Sequence, residues 1–138
     1  MKKLILLLSV FAVVLTSCGS DDDSSSQDPF IGIWTYHKTF INGVENALDD
    51  CSKQNKIIVT SIGSLTETYY DDFNGTCSLD AEDSATWVNL GNSTYKITYN
   101  EYNSFEGKIA FEANTFFVET TDDYGGQTYT YKEVYIRN

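Results

Sequence analysis

The chain has 138 residues, and its 9 Lys plus Arg stand against 20 Asp plus Glu, a formal charge of −11. That balance excludes a nucleic-acid binder, which needs a basic stripe to displace phosphate counterions. Only one His is present, and no His, Asp or Glu constellation stands near a Cys at metal-ligand spacing. In chain order, the basic start Lys2-Lys3 leads into a nearly unbroken apolar run over residues 4–15. Spanning a bilayer takes ~20 apolar residues, so this shorter run reads as a cleaved signal peptide, residues 1–17. Its removal leaves 7 cations against 20 anions in the mature chain.

Next comes Leu15-Thr16-Ser17-Cys18-Gly19. It resembles the lipobox of bacterial lipoproteins, in which a branched apolar residue and two small residues precede an invariant Cys. The resemblance implies cleavage before Cys18 and acylation of its thiol and new amino group. Two or more acyl chains, at ~0.8 kcal/mol per buried methylene, would hold the protein on a membrane without a spanning helix. Residues 18–28 are otherwise polar and acidic, bury nothing and read as a flexible tether. Ten such residues reach ~16–19 Å root-mean-square. Ser20-Asp21-Asp22-Asp23 resembles the signal by which some Gram-negative lineages display lipoproteins on the cell surface. The implied location is therefore the outer membrane, facing outward, or facing the periplasm if the acidic run is only a solubilising tether.

Residues 29–138 form one domain in which the dominant period is two. Lys108-Ile109-Ala110-Phe111-Glu112 and Tyr95-Lys96-Ile97-Thr98-Tyr99 alternate cleanly, and no apolar stripe runs at helical spacing. Turn signals recur at Asn42-Gly43, Gly63, Asn74-Gly75, Gly91-Asn92, Asn103, Asn114 and Gly125-Gly126. Strands are predicted over 33–41, 56–61, 65–73, 86–90, 94–99, 106–113, 115–121 and 127–137. Short links between eight strands favour an all-β, antiparallel up-and-down barrel, because closure removes two bare edges.

Gly32-Ile33-Trp34 lies at the start of the first strand, and Tyr135-Ile136-Arg137 ends the last. This pairing resembles the Gly-x-Trp opening of lipocalins and the C-terminal cation they pack over that Trp. Cys51 ahead of the second strand, Cys77 after the third, and Trp87 with Gly91-Asn92 are similar to the lipocalin-like domain of small Gram-negative lipoproteins. The resemblance covers all of residues 29–138 and implies a binding protein with no catalytic residue, metal or cofactor. Its partners would be the membrane, through Cys18, and a small, partly hydrophobic ligand; a monomer is expected. With Cys18 acylated, export to an oxidising compartment pairs Cys51 with Cys77. The bridge would tie the long connection over residues 42–55 to the hairpin of the second and third strands.

His37 sits mid-strand with no nucleophile elbow or orienting base beside it and reads as a wall or surface residue. Asp49-Asp50, Asp71-Asp72, Glu82-Asp83 and Asp122-Asp123 fall in or beside expected turns, where solvation does not raise a carboxyl for acid–base work. Asp72-Phe73-Asn74-Gly75 carries part of a calcium-loop pattern, without its distal Glu. Asp83-Ser84-Ala85 resembles an O-glycosylation acceptor of some Gram-negative exporters. The aromatics Tyr36, Trp87, Tyr95, Tyr99, Phe111 and Phe116 are the candidate ligand-binding set, sharing one side of a closed wall. They either fill the barrel or line a small pocket. A solid barrel would instead bind a partner protein or glycan through its loops or a Tyr-rich outer face; Tyr69, Tyr70, Tyr129, Tyr131 and Tyr135 form a second set whose face the sequence does not assign.

Overall fold

The computed structural model describes residues 26–138. The expected signal peptide 1–17, Cys18 and the acidic run Ser20-Asp21-Asp22-Asp23 lie outside the described residues. Among those described, the strands are β1 (Gly32–Ile41), β2 (Val44–Asn46), β3 (Lys56–Val59), β4 (Ser64–Phe73), β5 (Thr76–Gly91), β6 (Thr94–Asn100), β7 (Asn103–Glu112), β8 (Thr115–Tyr124) and β9 (Gln127–Arg137). Consecutive strands from β3 onward pair antiparallel, and β9 returns to β1 from Trp34↔Arg137 to Ile41↔Tyr131. Eight strands thus close an up-and-down antiparallel barrel, and β2 is a short flap on the upper end of β1.

The alternation read from the sequence is the inside–outside rule of a pleated wall. Ile57 and Val59 on β3, Leu65 and Glu67 on β4, Ala85 and Trp87 on β5, and Tyr95 and Ile97 on β6 are all buried, while the residues between them are not. Asn42, Asn74 and Asn92 open tight turns with φ of 51°, 57° and 51°. Asn tolerates this left-handed conformation better than most residues, and such turns match the twist of the strands they join.

Several boundaries differ from expectation. The strand predicted over 86–90 begins ten residues earlier, at Thr76, so Cys77, Glu82, Asp83 and Ser84 lie within β5. Likewise Asp122 and Asp123 lie on β8, past the predicted end at 121, whereas Asp71 and Asp72 lie on β4 within the strand predicted over 65–73. The cause is that the β4–β5 and β8–β9 hairpins rise past the barrel rim, where most of their residues are exposed. Without a dry face the apolar alternation stops, although the ladder continues through Phe73↔Thr76 and Tyr124↔Gln127. Asp72 caps its hairpin, accepting the Gly75 N–H at 2.7 Å. At the opposite end β3 stops at Val59, because Thr60 turns the chain by bonding Ser64 through backbone and hydroxyl.

The barrel floor is built by the residues just before β1. Phe30 is 1% exposed and meets Trp87 and Phe116 edge-on, with ring centroids 5.5 and 5.4 Å apart. Asp28, the last residue of the expected tether, accepts bonds from Phe30 N (2.8 Å), Tyr95 Oη (3.0 Å) and Asn89 Nδ2 (2.7 Å). Trp34, also 1% exposed, donates its indole N–H to the Phe30 carbonyl at 2.8 Å. Arg137 lies 4.1 Å from the centre of the Trp34 ring and donates to the carbonyls of Ile31 (2.8 Å) and Pro29 (2.7 Å). A side chain at Gly32 would collide with that guanidinium, and its φ of 152° is one that L side chains rarely adopt.

The upper end is held by Cys51–Cys77, 26 residues apart. The bridge joins the 42–55 connection to the β4–β5 hairpin, not to the hairpin before it, since Cys77 is the second residue of β5. Within that connection Asp49 caps the turn at Ser52–Gln54, accepting the N–H groups of Cys51 and Ser52 at 2.8 Å each. The Ser52 hydroxyl donates to the same carboxylate at 2.7 Å, and these bonds hold its carboxyl below the usual range.

Closing a 26-residue loop is worth ~3.5 kcal/mol in the chain-entropy picture. Cys51→Ser, or reductant on the native protein, should therefore lower Tm by roughly 10 °C or more, read by circular dichroism. Gly32→Val should also lower Tm, and it should free the Trp34 emission from its buried, guanidinium-covered environment.

Candidate functional site

Above the Phe30 plug the barrel is not filled. A cavity of about 270 Å³ remains. Its lower surface is Phe30, Ile109 and Phe116, and its walls carry Ile57, Ile97, Phe105 and Val118. Its upper part is polar, formed by Glu67, Tyr69, Tyr99, Thr120, Glu133 and Tyr135. Phe105 owes its place to Gly107, where a Cβ would come within 2.6 Å of the Phe105 ring. Any other residue there would push the ring away from the wall.

Glu67 is the one charged residue buried among the described residues, at 7% exposure. Its Oε2 accepts hydrogen bonds from Tyr69 Oη at 2.5 Å and Tyr99 Oη at 2.9 Å. Its Oε1 has no hydrogen bond among the described residues, and no side-chain polar atom there is both sealed and unpaired. Oε1 is therefore accessible from the cavity that Glu67 lines. Glu133 opens onto the same space and accepts a long bond from Tyr36 Oη at 3.4 Å. Tyr36 in turn packs on Tyr135, ring centroids 5.1 Å apart, and Tyr135 stacks on Phe116 at 4.8 Å.

The cavity lining holds two carboxylates and no Lys, Arg or His. The ion pairs among the described residues, Lys38–Glu45 at 3.2 Å and Lys53–Asp50 at 2.8 Å, lie elsewhere. Lys132 sits over the Phe117 ring, 3.8 Å from its centre, on the other side of the wall from Tyr135 and Glu133. Electrostatics follow from this one-sided charge. Glu133 is solvent-exposed, yet partial desolvation, and then the charge of Glu67, push its carboxyl above the ordinary range. Burial first, and then the neighbouring carboxylates, hold the phenols of Tyr69, Tyr99 and Tyr135 well above their usual value. Burial and Tyr95's bond to Asp28 do the same on the floor.

The predicted aromatic set divides along the barrel axis. Tyr99 and Phe116 line the cavity. Trp87, Tyr95 and Phe111 do not, because each packs against the Phe30 ring, at 5.5, 5.2 and 6.4 Å, and fills the floor. Tyr36 stands behind Tyr135, outside the lining. Filled core and pocket are thus both realised, one below the other. Of the tyrosines without an assigned face, Tyr69 and Tyr135 line the cavity, Tyr69 while still 37% exposed, and Tyr131 is exposed to the same 37%. His37 is exposed at a bulge, where the β1–β9 register shifts between Tyr36 and Lys38. Among the described residues no group of three His, Cys, Asp or Glu is placed to hold a metal ion.

Sequence reasoning missed Glu67, Glu133, Phe105 and Phe30. A signal for Glu67 exists, since Leu65-x-Glu67-x-Tyr69 keeps it in phase with an apolar row. Glu133 is likewise in phase with Tyr135, and Phe105 with Ile109. No protein-family model and no curated protein matches this sequence.

Two pH effects follow. A carboxyl raised in the folded state costs stability once pH climbs through its ordinary value of 4.5. Glu133→Gln should therefore melt higher than wild type at neutral pH and at the same temperature in acid below that window. Phenols raised in the fold from an ordinary 10.0 contribute stability that is intact below pH 10.0 and lost above it. Phenolate absorbance should show a group of the ten tyrosines ionising only together with unfolding.

Proposed function

We propose that this chain is a lipid-anchored, lipocalin-like binding protein of the cell envelope that takes a small, partly hydrophobic ligand into the barrel without transforming it. The carrying observation is the cavity of about 270 Å³, apolar below and polar above. A few convergent polar groups on an otherwise apolar concavity are the usual make-up of a small-molecule site. The packing of Arg137 on Trp34 beside Gly32 is what the lipocalin resemblance implies, and it supports that kinship. The lipobox-like Leu15-Thr16-Ser17-Cys18 supports attachment to a membrane, and Ser20-Asp21-Asp22-Asp23 supports display on the outer surface. A solid barrel working only through loops or outer tyrosines fits an open interior less well.

Titration of the isotope-labelled domain with 2-phenylethanol, an uncharged probe, should shift amides of Phe105, Val118 and Tyr135. Val118→Trp, which fills the cavity, should abolish those shifts. No shifts at millimolar probe, or shifts confined to the outer wall, would refute binding in the barrel. Cys18→Ser should release the protein from membranes, and replacing Asp21, Asp22 and Asp23 by Ala should leave it lipidated but hidden from protease added to intact cells.

A further inference from the structure

Resting on the binding reading, we propose that the ligand is a small organic cation, a protonated amine with an apolar body, whose ammonium group sits between Glu67 and Glu133. The cavity offers only negative charge, and neither carboxylate has a cationic partner. Glu67 is buried with Oε2 occupied by two phenols and Oε1 left to the cavity. Oriented in this way, it is an acceptor held in place for a donor that the protein does not itself supply.

The chemistry ranks the other head groups below an ammonium. A fatty acid or other anion would bring a third negative charge into a cavity that already holds two. An uncharged ligand would strip water from the carboxylates and return at most one hydroxyl hydrogen bond, which offsets less of the cost of a charge left unpaired. An ammonium group returns charge-assisted hydrogen bonds to both. The surrounding rings add to this, since Tyr69, Tyr99 and Tyr135 line the same upper part and an aromatic face attracts a cation.

The lower part selects the body. Phe105, Ile109, Phe116 and Val118 present an apolar surface with no side-chain hydrogen-bonding group. A volume of about 270 Å³ equals roughly nine waters at ~30 Å³ each, which suits a ligand of about ten non-hydrogen atoms. An aromatic or short aliphatic monoamine matches in size, in head group and in body.

Three probes of one shape separate the head group from the body: phenethylamine, 2-phenylethanol and phenylacetate, titrated calorimetrically into the mature domain near neutral pH. Phenethylamine should bind about tenfold or more tightly than 2-phenylethanol, and phenylacetate more weakly than either. Glu67→Gln and Glu133→Gln should each erase most of the amine's advantage, weakening phenethylamine while 2-phenylethanol, with one carboxylate fewer to desolvate, binds as tightly or more tightly than in wild type. Glu133 lies at the open part of the cavity, so its variant reports even if Glu67→Gln disturbs the fold. An amine that binds no better than the alcohol overturns the cation assignment and leaves the binding reading standing. Failure of all three probes to bind overturns both.

Discussion

The structure depends on how the barrel is shut at its lower end. A guanidinium from the last strand covers the indole of the first, and its two outer nitrogens clasp the carbonyls of Pro29 and Ile31. That clasp fixes the segment entering β1, which in turn drives Phe30 into the barrel axis. Burying Phe30 and Trp34 contributes ~1.5–3 kcal/mol each. The guanidinium–indole contact adds ~0.5–1 kcal/mol at an exposed Arg. Glycine at position 32 is the space the clasp requires. One local packing arrangement thereby joins the first and last strands of the barrel.

The plug also decides where the interior is empty. Four aromatic rings, those of Trp87, Tyr95, Phe111 and Phe116, lie within 6.4 Å of Phe30, and together with Trp34 they consume the lower barrel. Nothing comparable descends from the top. The residues there are tyrosines and glutamates, whose phenols and carboxylates bond one another around a space instead of across it. Burying Glu67 is tolerable because two hydroxyls solvate one of its oxygens. The same arrangement leaves negative charge unneutralised in a partly dry site, which is a cost for stability and an opening for recognition.

Which elements were readable from the chain follows from where water lies. Inside the barrel wall each strand has one dry face and one wet face, so 94–99 and 127–137 read correctly as strands and the meander follows from their spacing. Above the rim both faces of β4, β5, β8 and β9 are wet, and Glu82-Asp83 and Asp122-Asp123 look like turns while forming ladders. Backbone pairing leaves no apolar signature in such hairpins. Phe30 was equally silent, because a single aromatic before a strand carries no period.

By itself the sequence determined the antiparallel barrel of eight strands, its Asn-led turns and the Cys51–Cys77 bridge, since each is set by local chemistry or by a repeating pattern. Only the tertiary structure decided that Trp87, Tyr95 and Phe111 are floor while Tyr99 and Phe116 face a void. It alone brought Glu67 and Glu133, 66 positions apart, into one cavity. Alternation says on which side of the wall a residue points but not how high on the axis it sits. Height comes from strand register and from what occupies the neighbouring layer, and neither quantity is written in any single segment of the chain.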